Sequence, residues 1–136
     1  MNESIRLHCF PARYQSLDAL LGVLRAVCEA AGFSRQDGMR VELAIEELFS
    51  NTVRHGYGGE SDRPVWLGAC VAPEGVTVEY RDAAPAFDPL QPPQATACEA
   101  PPLGGVGRLL VHTLATMHGY AHREGCNCIR LVFARR

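Results

Sequence analysis

The 136-residue chain has the length of one domain, 1–136. Hydrophobic residues make up 47% and charged residues 21%, the balance of a globular fold with its own core. A net charge of −2 and a pI near 6.2 argue against a general nucleic-acid binder, which usually shows a basic stripe, and no apolar run reaches the roughly 18 residues of a membrane span.

The elements follow in chain order. Residues 4–9, "SIRLHC", alternate as a short first strand does. Ser16 is a fair N-cap for a helix to about Ala31, with Leu17, Leu20, Leu21, Leu24, Val27 and Cys28 on one stripe. Gly32 stops it. Ser34 and Asp37 resemble a capping box, with Asp in the reach-back position. They open a second helix carrying Val41, Ala44, Ile45, Leu48, Phe49 and Thr52, which should fray around Gly56. "VWLGACVA" (65–72) and "VTVEYRD" (76–82) have strand composition, and the short "PEG" between them suggests a hairpin. Residues 83–103 form a long Pro- and Ala-rich loop, a length often functional. "GGVGRLLVHTLATMHG" (104–119) is a Gly-rich entry to a third helix, with Val106, Leu109, Leu110, Thr113, Leu114 and Met117 on its stripe and Gly119 at its end. "YAHRE" and "NCIRLVFA" complete the chain as a hairpin. The pattern implies an α/β two-layer sandwich: a mostly antiparallel mixed sheet covered on one face by three helices.

All 13 basic residues are Arg. A chain with no lysine has no Walker A phosphate loop and no strand lysine of the common kinase fold. The start, "MNESIRLHCF", lacks the apolar core of a secretory signal, so a soluble cytoplasmic location is expected. The cysteines, at 9, 28, 70, 98, 126 and 128, have no zinc-site spacing and read as reduced thiols. Cys126 and Cys128 would share one strand face.

"AIEELFSNTVRHGYGG" (44–59) sets polar groups into an amphipathic helix. Glu47 and Asn51 are four apart and lie about 40° from each other, whereas Glu46 lies about 140° from Asn51. Glu47, Asn51 and Arg54 therefore share a flank. A satisfied buried amide beside a surface Glu47–Arg54 pair fits this pattern. So does a carboxylate and an amide oxygen that position a divalent cation, with Glu47 as a general base. Val76, Val78, Tyr80 and Asp82 have one parity, which brings Asp82 to the rim of the core if that face is buried. A carboxylate there needs a donor, which an ordinary turn or an adenine amine would supply. Gly104, Gly105 and Gly107 at a helix entry expose backbone N–H groups, either an anion site or merely a flexible loop.

Taken in order, these elements resemble the anti-sigma-factor serine/threonine kinases of bacteria. These belong to the GHKL (histidine-kinase-like) ATPase superfamily, with histidine kinases and gyrase. "EELFSNTVRHGY" looks like the N box, followed by "DAAPAFDP", "GGVGRLL" and a closing Gly125, Asn127 and Leu131. The resemblance implies a Bergerat-type ATP-binding fold with ATP and Mg²⁺ as cofactors. It implies Asn51 as the magnesium ligand and Glu47 as the catalytic base. Nucleotide contacts would come from Asn51, Arg54, His55, Asp82, Ala84, Gly104, Gly105, Val106, Gly107 and Asn127. It further implies a sigma factor and a STAS-type anti-anti-sigma antagonist as partners, and a homodimer.

Ala84 and Ala86 depart from the superfamily's Asp-x-Gly-x-Gly, and alanine adds a methyl where glycine allows close approach. This departure motivates an alternative, a nucleotide-binding interaction module that sequesters a partner without significant kinase activity. A third reading, the catalytic domain of a histidine kinase, lacks room for a phospho-accepting helical hairpin.

Overall fold

The computed structural model describes residues 5–90, 111 and 113–136. Strand β1 is His8–Pro11, helix α1 Leu17–Ala30 and helix α2 Arg35–Asn51. Strands β2 (Pro64–Ala72) and β3 (Gly75–Asp82) form a hairpin, and β4 (Met117–Arg123) and β5 (Cys126–Ala134) form another. The five strands make one sheet in the order β1-β2-β3-β5-β4, with every neighbouring pair antiparallel.

Several boundaries differ from expectation. The first strand is His8–Pro11 rather than 4–9. It pairs with β2 as far as Pro11 opposite Pro64, where neither residue has an N–H to extend the ladder. Ser16 caps α1 only by position. It ends a 3-10 turn, Tyr14–Ser16, and its side chain makes no cap bond. Gly32 does close α1 with φ +71, and the Phe33 N–H reaches back to the Cys28 carbonyl. At Ser34 half of the capping box forms: Ser34 Oγ accepts from the Asp37 N–H at 3.1 Å. The Asp37 carboxylate turns away instead to Arg40 (2.9 Å) and the Arg136 N–H (3.3 Å).

The third helix is described only near its end, where Val111, Thr113 and Leu114 are helical. Its Gly-rich entry lies outside the described residues. The expected run to Gly119 is wrong, because Met117–Gly119 belong to β4 and pair with Val132, Leu131 and Arg130 of β5. Met117 and Thr113 are exposed, whereas Val111 is fully buried. A stripe of period about 3.6 continued through Met117 only by coincidence, and Gly119 is a strand residue, not a helix stop.

The core lies between the helices and one sheet face. Leu20, Leu21, Leu24 and Cys28 from α1 meet Val41, Ala44, Ile45, Leu48 and Phe49 from α2. Beneath them run strand rows set by register: Val71, Val76 and Phe133; Ala69, Val78 and Leu131; Leu67, Tyr80 and Ile129; Val65, Asp82 and Asn127. Three rows are apolar. The last ends the core on two polar residues placed side by side.

Glu79 faces the other way and is buried there beside Arg81 (3.2 Å) and Arg130 (3.7 Å). Gly68, opposite Glu79, has no room for a side chain because the backbone of Arg6 and the Ile5 side chain occupy its Cβ position. No disulfide forms among the described cysteines. Cys126 and Cys128 share a strand as expected, but the Cys128 thiol approaches the Cys126 carbonyl at 3.8 Å. Burial pushes the Cys28 thiol up to about 11, which keeps it protonated and inert. No described helix is long and apolar enough to cross a membrane.

Arg40 joins distant parts of the chain, donating to Asp37, the Leu114 carbonyl (3.2 Å) and the Ala134 carbonyl (2.7 Å). The hydrogen bond from Arg40 lowers the Asp37 pKa, opposed by burial and aided by the Arg136 N–H. A carboxyl depressed in the folded state stabilises it above the unfolded pKa of about 4 and loses that contribution as pH falls further. Asp37→Ala is expected to cost about 2 kcal/mol at pH 7 and to flatten the acid limb of stability below about pH 4. Urea melts of both proteins from pH 7 to pH 3 check this.

Candidate functional site

The C-terminal end of α2 does not stop at Asn51. It continues as a π-helical turn, Thr52–Gly56, in which the Tyr57 N–H donates to the Thr52 carbonyl at 2.7 Å. Such wide turns recur at functional sites because they re-aim side chains within a helix. Here the turn lies across the polar end of the core, and a cavity of about 260 Å³ opens between it, the row of Asp82 and Asn127, and the loop 83–89.

Asp82 is 7% exposed and its carboxylate is nearly filled by donors. Oδ1 accepts from Asn127 Nδ2 at 2.8 Å and from the Ala84 N–H at 3.2 Å. Oδ2 accepts from Thr52 Oγ1 at 2.7 Å. Thr52 Oγ1 lies 2.6 Å from the Tyr80 hydroxyl. A carboxylate only accepts, so the protons run one way, from Tyr80 to Thr52 to Asp82. Burial holds the Tyr80 phenol well above its ordinary pKa and keeps it a donor. A carboxylate oxygen can take two hydrogen bonds. Among the described residues Oδ2 has one, so an acceptor position remains on a residue that lines the cavity.

Asn51 also lines the cavity. Its Nδ2 is buried and has no hydrogen-bond partner among the described residues. A buried amide without a partner costs about 1–3 kcal/mol, which a ligand at that position would recover. The two amide atoms exchange by a half-turn of the side chain, so the same place can present an oxygen. That donor suits magnesium, which takes few protein oxygens and completes its shell with water and phosphate. The rest of the wall is largely apolar, with Leu48, Ile129, Pro85 and Phe87, and suits a flat aromatic base.

The loop after Asp82 is held from both sides. The Ala83 N–H donates to the Tyr57 hydroxyl at 2.7 Å, and that hydroxyl donates to the Pro64 carbonyl at 2.6 Å. Arg63 stacks over the Tyr57 ring at 4.1 Å and donates to the Ala83 carbonyl. On the other side Asn127 Nδ2 also reaches the carbonyls of Ala84 and Pro85, each at 3.1 Å. Its Oδ1 accepts from the Phe87 N–H at 3.0 Å and from the Tyr120 hydroxyl at 2.6 Å.

Of the residues expected at the site, Asn51, His55, Asp82, Ala84 and Asn127 line this cavity. Asn127 spends its whole amide on the loop, Asp82 and the Tyr120 hydroxyl. Glu47 is half-buried and Arg54 exposed, and neither is among the lining residues. Gly104, Gly105, Val106 and Gly107 lie outside the described residues. Thr52, Tyr57 and Tyr120 were not anticipated. Thr52 read as a member of the apolar stripe, and only its place one residue after Asn51 hinted at more. Neither Ala84 nor Ala86 has a positive φ, so the loop does not require glycine there. The Ala84 methyl packs where a Cβ on Gly56 would sit, at 2.9 Å from it. Glycine at 56 makes room for alanine at 84.

The model of the histidine kinase-like ATPase domain matches residues 10–133. The chain belongs to the histidine kinase-like ATPase domain family. That agrees with the superfamily expected from the motifs. A solved structure, the RsbU and RsbW domains of Rv1364c from Mycobacterium tuberculosis, shares the fold with a TM-score of 0.65 at 18% identity. The match covers 98% of this chain and 34% of the other, so this chain spans about a third of that relative's length. No curated protein matches the sequence. An ATPase domain of this family binds ATP, and the buried carboxylate, the unpartnered amide and the apolar wall are the features in this chain suited to it.

Gly56→Ala should drive its new methyl against Ala84 and displace the loop, weakening ligand binding about tenfold, or 1.4 kcal/mol. Ala84→Gly in the same chain should restore it. A double-mutant cycle of ATP affinities measures the coupling.

Proposed function

We propose that this chain is an ATP-dependent protein serine/threonine kinase that acts as a cytoplasmic anti-sigma factor and phosphorylates an anti-anti-sigma antagonist. The observation that carries the reading is the buried Asp82, fixed by three donors and left with one acceptor position at an apolar cavity. That position accepts an exocyclic amine, as adenine carries. The Asn51 amide at the same cavity would hold magnesium, which supplies charge neutralisation to the phosphates when bound.

The chain's own residues then divide the work. Thr52 and Tyr80 hold the Asp82 carboxylate in one orientation. His55 and Arg54, on the π-turn, would stand on the phosphate side. Glu47, one helical turn before Asn51, would take the proton from a serine or threonine hydroxyl of the antagonist. Gly104, Gly105, Val106 and Gly107 would meet the phosphates with backbone N–H groups. The order of motifs supports the anti-sigma branch, with a sigma factor and a STAS-type protein as alternating partners and the kinase as a homodimer.

The rival reading, a partner-sequestering module without kinase activity, rested on Ala84 and Ala86. Their ordinary backbone angles and the space at Gly56 weaken that ground.

Radiolabelled ATP and Mg²⁺ with a purified STAS-type antagonist test the proposal. Wild type should transfer label to a product stable in acid, as a phosphoserine or phosphothreonine is. Glu47→Ala should lower the transfer rate about 10²–10⁴-fold with ATP affinity nearly unchanged. Asp82→Asn should weaken ATP binding about tenfold or more. Transfer undiminished in Glu47→Ala removes Glu47 as the base, and acid-labile label points to histidine phosphorylation. ATP binding without transfer supports the sequestering module.

A further inference from the structure

We infer that Tyr120, on the edge strand β4, is a positioning residue for the loop 83–87 and through it sets nucleotide affinity. The second half of this inference rests on the ATP reading above; the first does not.

Tyr120 is partly buried against the core, and its hydroxyl reaches the loop from outside the cavity. It donates to Asn127 Oδ1 at 2.6 Å and accepts from the Phe87 N–H at 3.1 Å. The Phe87 N–H is thereby shared between Tyr120 and Asn127. Two donors, one phenol and one backbone N–H, face the same amide oxygen. They fix the Asn127 amide so that nitrogen, not oxygen, faces the Asp82 carboxylate and the carbonyls of Ala84 and Pro85. A reversed amide would set oxygen against three acceptors. Burial raises the Tyr120 pKa, aided by the charges of Asp88 and Asp82, so the hydroxyl stays a donor at neutral pH.

Asn127 alone leaves one of its two acceptor positions without the phenol. The loop it holds carries Ala84, Pro85 and Phe87 into the cavity wall. The loop is held by side chains from β4 and β5. Tyr120 does not line the cavity itself, and so acts through Asn127 and Phe87, which do.

Tyr120→Phe keeps the ring on the core and removes only the oxygen. His122→Ala, on the same strand and exposed, is the control. In the nucleotide-free protein, amide hydrogen exchange at Ala84 and Phe87 should rise about tenfold in Tyr120→Phe, with α1 and α2 unchanged. ATP·Mg²⁺ titration of the same samples should show affinity about five- to tenfold lower, with the maximal transfer rate unaltered. His122→Ala should match wild type in both. Unchanged exchange at Phe87 overturns the inference, and so does faster exchange spread across the helices, which would mean a general loss of stability. Wild type that binds no ATP removes the ATP reading, while the exchange measurement still decides the role of Tyr120.

Discussion

The fold turns on one buried carboxylate. Asp82 closes the polar end of a strand whose other inward residues, Val76, Val78 and Tyr80, are fully apolar or hydrogen-bonded. A charge in that position is costly unless donors surround it. The chain supplies them from three directions: Thr52 from the end of α2, Asn127 from β5, and the Ala84 N–H from the loop that follows. Each donor ties a different element to the same point. The carboxylate is therefore the joint between helix layer and sheet, and in the proposed function it is also the recognition group of the cavity.

The rest of the site follows from holding that joint. The π-turn Thr52–Gly56 continues α2 across the end of the core and carries Thr52, His55 and Gly56 in the cavity lining. The antiparallel register of β3 and β5 makes Asn127 the direct neighbour of Asp82. The tight turn at Glu124 and Gly125, both with positive φ, sets the register of β4 against β5 and so the place of Tyr120 beside the loop. Tyr57 and Arg63 on one side, and Asn127 and Tyr120 on the other, then fix a loop rich in alanine and proline. A loop restrained this way presents a formed wall and needs little ordering when a ligand enters.

Much of this was legible in the residues. The alternation from Val76 to Asp82 put the carboxylate on one face with Val76, Val78 and Tyr80, which is the core face, and helical spacing put Asn51 at the margin of the apolar stripe of α2. The apolar stripes of both helices and the stop at Gly32 came from period and turn chemistry alone. What escaped were features that depend on two distant segments. The pairing of Asp82 with Asn127 is a register, and register is set by the whole sheet. The π-turn is a local departure that no side-chain pattern announces. Met117 and Gly119 read as helix because an apolar stripe and a glycine can end a helix, yet β5 offers them a ladder. Thr52 looked apolar in the stripe because its methyl packs there, while its hydroxyl does the binding.

The central claim is that a nucleotide enters the cavity and meets Asp82 and Asn51. The most direct test is titration of ¹⁵N-labelled protein with ATP·Mg²⁺, followed by NMR. The account predicts saturable shifts of the Asn51 side-chain amide and of the backbone amides from Ala83 to Phe87. It predicts no such shifts with GTP, whose base offers a carbonyl where adenine offers an amine. Shifts confined to residues remote from the cavity, or no difference between ATP and GTP at Ala84, would contradict it.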